Sequence, residues 1–425
     1  MARKMKDSGI EWIGEIPEGW ETCLYKYCCS VQPGYPFDSA KFSNSSTDGF
    51  PLIRIRDITS GEIQTYYTGE YPPNYIVTAG DLLVGMDGDF NVRWWNNDAA
   101  LLNQRCCRVT EKDSVLRRFL YYVLPFTLQR INTLTYATTV KHLANGDILN
   151  SFIAFPSLPA QQNIVHYLDT VCSEIDALLS KTRSSIEEYK KLKQAVITQA
   201  VTKGVRGERE MKDSGVEWAG LVPLHWGVAK IGSIAQTSSG ATPLRSKESS
   251  FFDDATIRWV RTLDLNDGLV YDSSEKITEL ALASSACSIM PKGTVCVAMY
   301  GGAGTIGKCG LLMSDCATNQ AVCSIVCNCK IVSPIFLLMQ LLALKPYWMK
   351  YAVGTRKDPN ISQDVVARMK ILIPPLDEQK EITDYLDAKC AEIDGLIAKK
   401  EQLVKELERY KKSLIYEVVT GKREV

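Results

Sequence analysis

The residues best suited to chemistry lie in short, scattered segments. Gly302-Ala303-Gly304-Thr305-Ile306-Gly307-Lys308-Cys309 fits GxxxxGK, the spacing of a loop that cradles phosphates on backbone amides. Cys309 stands where a magnesium-binding Ser or Thr is required, and Gly310 to Asp315 does not read as the helix that would hold the phosphate at its N-terminus. A turn between strands is the better reading. Tyr71-Pro72-Pro73-Asn74-Tyr75 has the ingredients of the Asn-Pro-Pro-Tyr motif of adenine methyltransferases. Its Asn follows the prolines, however, and no Gly-rich cofactor loop accompanies it, so it reads as a loop. Cys323, Cys327 and Cys329 invite a metal, yet there is no CxxC pair and His142, His166 and His225 lie far off in sequence. No nuclease carboxylate cluster or triad stands out. The default is a chain with no catalytic group, cofactor or metal of its own.

Composition bounds what remains. A length of 425 residues allows two or three domains, and 45% hydrophobic with 23% charged residues is ordinary for a soluble protein. Formal net charge is zero, whereas free-standing nucleic-acid binders are usually basic because neutralised phosphates dominate affinity. A nucleic-acid role would need locally basic loops, or partners that supply much of the phosphate contact. The charges of Arg3, Lys4 and Lys6 are followed by no apolar run, so no secretory signal is expected. The most apolar stretch, residues 335–344, is too short to span a bilayer and reads as a buried helix. The 14 cysteines, with adjacent pairs at Cys28-Cys29 and Cys106-Cys107, fit thiols better than disulfides. A cytoplasmic, reduced protein is expected.

Internal duplication organises the chain. Met5-Lys6-Asp7-Ser8-Gly9-Ile10-Glu11-Trp12 returns as Met211-Lys212-Asp213-Ser214-Gly215-Val216-Glu217-Trp218, and Pro17 and Trp20 recur as Pro223 and Trp226. A second block, from Pro156-Ser157-Leu158-Pro159-Ala160-Gln161, returns as Pro374-Pro375-Leu376-Asp377-Glu378-Gln379. It runs without a gap to Val201-Thr202 and Val419-Thr420. Its apolar residues, Ile164, Leu168, Val171, Ile175 and Leu178, alternate steps of four and three. Ile382, Leu386, Ile393, Leu396, Leu403, Leu407, Tyr410 and Leu414 keep that seam in the second copy. Prolines precede each start, and Gly204 and Gly421 stand at each end. A helix of about 44 residues would be roughly 65 Å long. The natural partner of each such helix is its own copy, packed antiparallel.

Between these blocks, residues 17–155 and 223–373 carry β-rich runs broken by Gly and Asn/Asp turns. Their mutual similarity is weak but ordered. Ile53-Arg54 pairs with Ile257-Arg258, the strand after Gly80 parallels that after Gly293, and Asn103-Gln104 parallels Asn319-Gln320. A closely duplicated frame with diverged inserts is well arranged to read two different things.

In this order of parts the chain resembles the specificity subunits of type I restriction-modification systems. The resemblance lies in the helix entries PSLPAQQNIVHYL and PPLDEQKEITDYL. It extends to GDLLVGMDGDFNVRWW with LLNQR in the first insert, ATNQA in the second, and the lead from Trp12 to Trp20. It implies an α+β fold of two mixed α/β target-recognition domains, separated by two long antiparallel coiled-coil helices and related by a pseudo-twofold repeat. The expected boundaries are 1–158 and 205–376 for the recognition domains with their leads, and 159–204 and 377–425 for the spacer helices. It also implies that each domain reads one half of a bipartite, gapped site on double-stranded DNA. The helices would dock two modification (methyltransferase) subunits, alongside restriction/translocase subunits. S-adenosylmethionine, ATP and Mg would belong to those partners.

Side chains suited to base edges or phosphates are the DNA-binding candidates. In the first domain they are Arg54, Arg56, Asp87, Asp89, Asn91, Arg93, Gln104, Lys141 and His142. In the second they are Arg258, Arg261, Tyr300, Thr305, Lys308, Gln320, Arg356 and Lys357. Asn103 and Asn319 recur in both and fit a shared backbone turn better. Two rivals stay open: an enzyme using nucleotide at the Gly302 to Lys308 loop, and a coiled-coil adaptor with no DNA role.

Overall fold

The computed structural model describes residues 3–134, 141–301, 304–354 and 359–425. The chain divides into two units, Met1–Thr182 with Gln402–Val425, and Arg183–Glu401. The first contains β1 (Cys29–Pro33), β2 (Phe50–Ile53), α1 (Ile55–Ser60), β3 (Leu82–Gly85), β4 (Val92–Trp94), β5 (Ala100–Leu102) and β6 (Cys106–Glu111). Helices α2 (Arg117–Leu134), α3 (Asn145–Leu149) and α4 (Leu158–Lys203) follow. Strands β4-β3-β6-β1 form an antiparallel sheet, while β2 and β5 run parallel in a second one, with Leu52 opposite Leu101. Every residue of β3 is buried, so this strand reads as a continuous apolar run rather than an alternation. Phe119, Leu120, Val123, Leu124 and Leu128 put one buried stripe of α2 into the core that also holds Leu82, Val84, Cys107 and Val109.

The second unit repeats this plan. It has β7 (Ala235–Ser239), β8 (Ile257–Val260), β9 (Val295–Ala298), β10 (Cys309–Leu312), β11 (Cys316–Thr318) and β12 (Val322–Cys327). Then come α5 (Pro334–Leu344), α6 (Gln363–Arg368) and α7 (Leu376–Val419). Strands β8 and β11 again run parallel, with Trp259 opposite Ala317. Helix α5, the apolar stretch noted above, is buried from Phe336 to Leu344 except at the half-buried Met339. Ahead of each module lies a short hairpin with the same register, Met5 opposite Pro17 and Met211 opposite Pro223.

The long helices belong to both units and run antiparallel. In the first unit Leu168, Cys172, Ile175 and Leu179 of α4 share a core with Leu414, Val418 and Val419 of α7. In the second, Ile197, Ala200 and Val201 of α4 share one with Ile382 and Leu386 of α7. Lys411 reaches Asp176 at 2.6 Å and Lys193 reaches Asp394 at 2.7 Å. These two bridges join repeat-equivalent residues, since Lys193 and Lys411, like Asp176 and Asp394, hold the same places in the two helix copies. Gly204 and Gly421 end the helices at φ +73° and +70°, the left-handed stop that glycine adopts without strain. The seam differs from the sequence pattern in one respect. Leu178 is 45% exposed and Leu403 is also exposed, whereas Cys172 and Leu179 are buried. There α4 packs against its module as well as α7, so its buried face follows the 3.6-residue helical period rather than the heptad.

One duplicated residue ties each long helix to its module. Gln161 accepts from the Leu116 amide at 2.9 Å and donates to the carbonyls of Ser114 and Pro156. Gln379 accepts from Ser333 and donates to Ile331 and Pro374. Both glutamines are fully buried. Gln161→Ala should cost about 2 kcal/mol, because it strands buried backbone groups as well as losing bonds. A denaturant midpoint indistinguishable from wild type would refute this.

Candidate nucleic-acid interface

At one edge of the first module, backbone pairing gathers residues distant in sequence. Gly34, just beyond β1, donates to Cys106 at 2.8 Å, and Tyr35 bridges to Asn103. Met86 donates to Arg105 at 2.9 Å, and Leu143 donates to Met86 at 2.7 Å. Asp87 and His142 thereby face each other as a bridged pair. His142 Nδ1 lies 2.7 Å from Asp87 Oδ1, and Arg105 Nη1 lies 3.4 Å from Asp87 Oδ2. Carboxylate, guanidinium and imidazole form one rim. Gln104 is exposed beside it, its backbone N–H donating to the Tyr35 carbonyl.

The other first-module candidates serve in different ways. Arg54 is exposed over the Phe42 ring at 5.8 Å. Arg56 donates to Thr65 and lines an open polar groove with Asn44, Ser46, Gln64 and Tyr66. Asp89 is exposed, and Asn91 donates to Thr59. Lys141 is held on the carbonyl and side-chain oxygens of Asn132. Arg93 donates to the carbonyls of Ile58 and Thr59 and so caps the C-terminal end of α1. Arg93→Ala should therefore cost about 1–2 kcal/mol of stability. It should leave the salt dependence of DNA binding unchanged; a log–log slope reduced by about one would mean that Arg93 contacts phosphate.

The second module repeats the rim with other residues. Met299 donates to Ala321 at 2.8 Å, Ile361 donates to Met299 at 2.9 Å, and Tyr300 bridges to Asn360. Gln320 is exposed and bonded to the Thr242 hydroxyl. Thr305 and Lys308 sit on the turn between β9 and β10. Arg258 pairs with Asp272 at 3.1 Å, and Arg261 with Glu275 at 2.6 Å and with Ser274. Arg356 and Lys357 lie outside the described residues, as do Thr355, Val140, Gly302 and Ala303. Strand pairing also revises one correspondence. The amide of Asn103 bonds to Ile53 and that of Asn319 to Val260, so Arg54 matches Arg261, not Arg258. Asp57 and Asp264 agree, each accepting from that arginine's amide at 2.8 Å.

Sequence reasoning missed Arg105, Tyr35, Asn360 and Thr242. Arg105 directly follows the duplicated Asn-Gln turn, which was the available signal; the others become neighbours only through pairing.

Lys308 is followed by strand β10, not by a helix that could hold phosphate. Tyr75 packs on Tyr35 with ring centroids 5.1 Å apart, and the Asn74 carbonyl accepts from Gln32 and Arg108. Burial pushes the thiols of Cys323 and Cys327 up to about 12, well above the range of a nucleophilic thiolate. Among the described residues no cluster of His, Cys, Asp or Glu is placed to hold a metal.

Two similar modules on a duplicated helical frame, each with a polar rim of different composition, define a two-part recognition protein. The family model for the type I restriction modification DNA specificity domain matches residues 17–188 and 223–406. The EcoBI specificity subunit of Escherichia coli is 30% identical over 408 residues, covering 93% of this chain and 84% of that one. The MjaVIII specificity subunit of Methanocaldococcus jannaschii is 23% identical over 420 residues, covering 96% and 93%. The fold matches a chain solved in work on complex assembly and conformational transition of the type I R-M system. That match has a TM-score of 0.71 at 16% identity and covers 96% of this chain and 99% of that one. The chain belongs to the specificity subunits of type I restriction-modification enzymes.

Proposed function

We propose that each module reads one half of a bipartite, gapped DNA target, and that α4 and α7 dock two modification subunits. The observation that carries this reading is the equivalence of the frame beside the divergence of the rims. Equivalent frames suit identical partners, and divergent rims suit different half-sites. Leu192 and Tyr410 occupy the same place in each helix copy and are 48% and 50% exposed, which suits a surface that a partner covers.

In this reading the chain contributes specificity and assembly, and no catalytic group. S-adenosylmethionine would enter with the modification subunits, and ATP with Mg through restriction/translocase subunits. The zero net charge of the chain fits partners that share the phosphate contacts. No helix of the described residues is long and apolar enough to cross a membrane. The cytoplasm, where the host DNA lies, is the proposed location.

The experiment is methylation mapping in a host expressing this chain with its modification subunit. A gapped adenine-methylation motif should appear and vanish when this gene is deleted, and exchange of residues 17–155 should change one half only. A motif indifferent to deletion, or none at all, would leave the adaptor reading.

A further inference from the structure

Strand pairing superposes three rim positions of the two modules: Asp87 on Tyr300, Arg105 on Ala321, and His142 on Asn360. The match rests on hydrogen bonds. Met86 and Met299 donate to residues 105 and 321, and both accept from the residue after the bridged partner, Leu143 or Ile361. The same backbone frame thus carries contrasting side chains. The first module has a carboxylate, a guanidinium and an imidazole. The second has a phenol, a methyl and an amide, beside Gln320 held by Thr242.

We propose that this rim reads a G·C pair in the first module and an A·T pair in the second. Arg105 and Asn360 read the bases, and Asp87 positions Arg105. The inference rests on the half-site reading above and adds to it the class of base and the residues responsible. An arginine fork presents two parallel donors to guanine O6 and N7, whereas an asparagine amide offers one donor and one acceptor to adenine N7 and N6. The Arg105 side chain is 55% exposed, leaving most of its donors toward solvent, while Asp87 engages Nη1. Asp87 is in turn engaged by His142. A carboxylate behind a guanidinium fixes the plane of the fork. Fixed orientation matters against a base edge; a phosphate is served equally well by a freely turning charge.

The test uses the full chain with its modification subunit in a methylation-free host, with adenine methylation mapped at single-base resolution. Arg105→Ala and Arg105→Lys should both relax one G·C position of one half-site, raising methylation of sites mismatched there by about tenfold relative to matched sites. The other half should not change. Asn360→Ala should do the same at an A·T position of the other half. Asp87→Asn should relax the Arg105 position more weakly, and no other. Strict retention of the motif by Arg105→Lys would overturn the proposal, because it would mark a phosphate contact. So would relaxation at an A·T position, or uniform loss of methylation by both Arg105 variants at an unchanged melting temperature. A wild-type chain that directs no gapped motif would instead remove the half-site reading itself.

Discussion

Glu378→Ala should destabilise the second unit by about 3–5 kcal/mol, the usual cost of removing one partner from a buried ion pair. Glu378 is fully buried in the first turn of α7. It is bonded to Arg209, to His225 at 2.9 Å and to the Trp226 indole at 2.9 Å. Its removal would strand the Arg209 guanidinium, only 16% exposed, beside a fully buried tryptophan. Burial pushes the carboxyl up, but the bonds from His225, Arg209 and Trp226 outweigh it and hold it below the ordinary glutamate value of 4.5. The fold therefore favours the ionised form. Its contribution is complete above 4.5 and is lost as pH falls below that value through the lower folded one. The first unit has Ala160 and Gly19 where the second has Glu378 and His225. Acid should thus loosen the hairpin before Trp226 ahead of its counterpart before Trp20. Amide exchange between pH 5 and 3.5 would report it, and equal loosening of both hairpins in wild type, or a Glu378→Ala melting temperature equal to wild type, would refute the assignment.

Gly34→Ala should cost about 3 kcal/mol and erase recognition by the first module. A β-carbon at Gly34 would lie 2.1 Å from the Asn103 carbonyl oxygen and 2.5 Å from that of Leu102. Both are backbone atoms in the turn leading to Arg105, so relief requires the turn itself to move. Gly240 meets the Thr318 oxygen at 2.1 Å in the second module, and Gly240→Ala should erase the other half of the motif. Melting curves with methylation maps would separate the two. A Gly34→Ala chain that melts like wild type and still specifies both halves would show that the turn gives way cheaply.

The sequence by itself determined the features set by local chemistry. Repeated segments placed the two modules and the two long helices, because a duplicated pattern needs no partner to be recognised. Proline before and glycine after bounded α4 and α7, since proline suits a first helical turn and glycine a left-handed stop. The strand after Gly80 and its copy after Gly293 were legible as apolar runs between turn residues.

Tertiary structure decided what depends on long-range pairing. Asp87, Arg105 and His142 share a rim only because β3 and its continuation pair with two segments far away in the chain, and strand register has no local signature. The same register matched Arg54 to Arg261, where a short sequence likeness had chosen Arg258. It also assigned Arg93 to the end of α1, an exchange of solvent for carbonyl partners that residue type cannot reveal. Leu178 and Leu179 were interchangeable on an apolar pattern. Only packing against both a module and a partner helix selected Leu179, because burial depends on every surface a helix meets and not on its own periodicity.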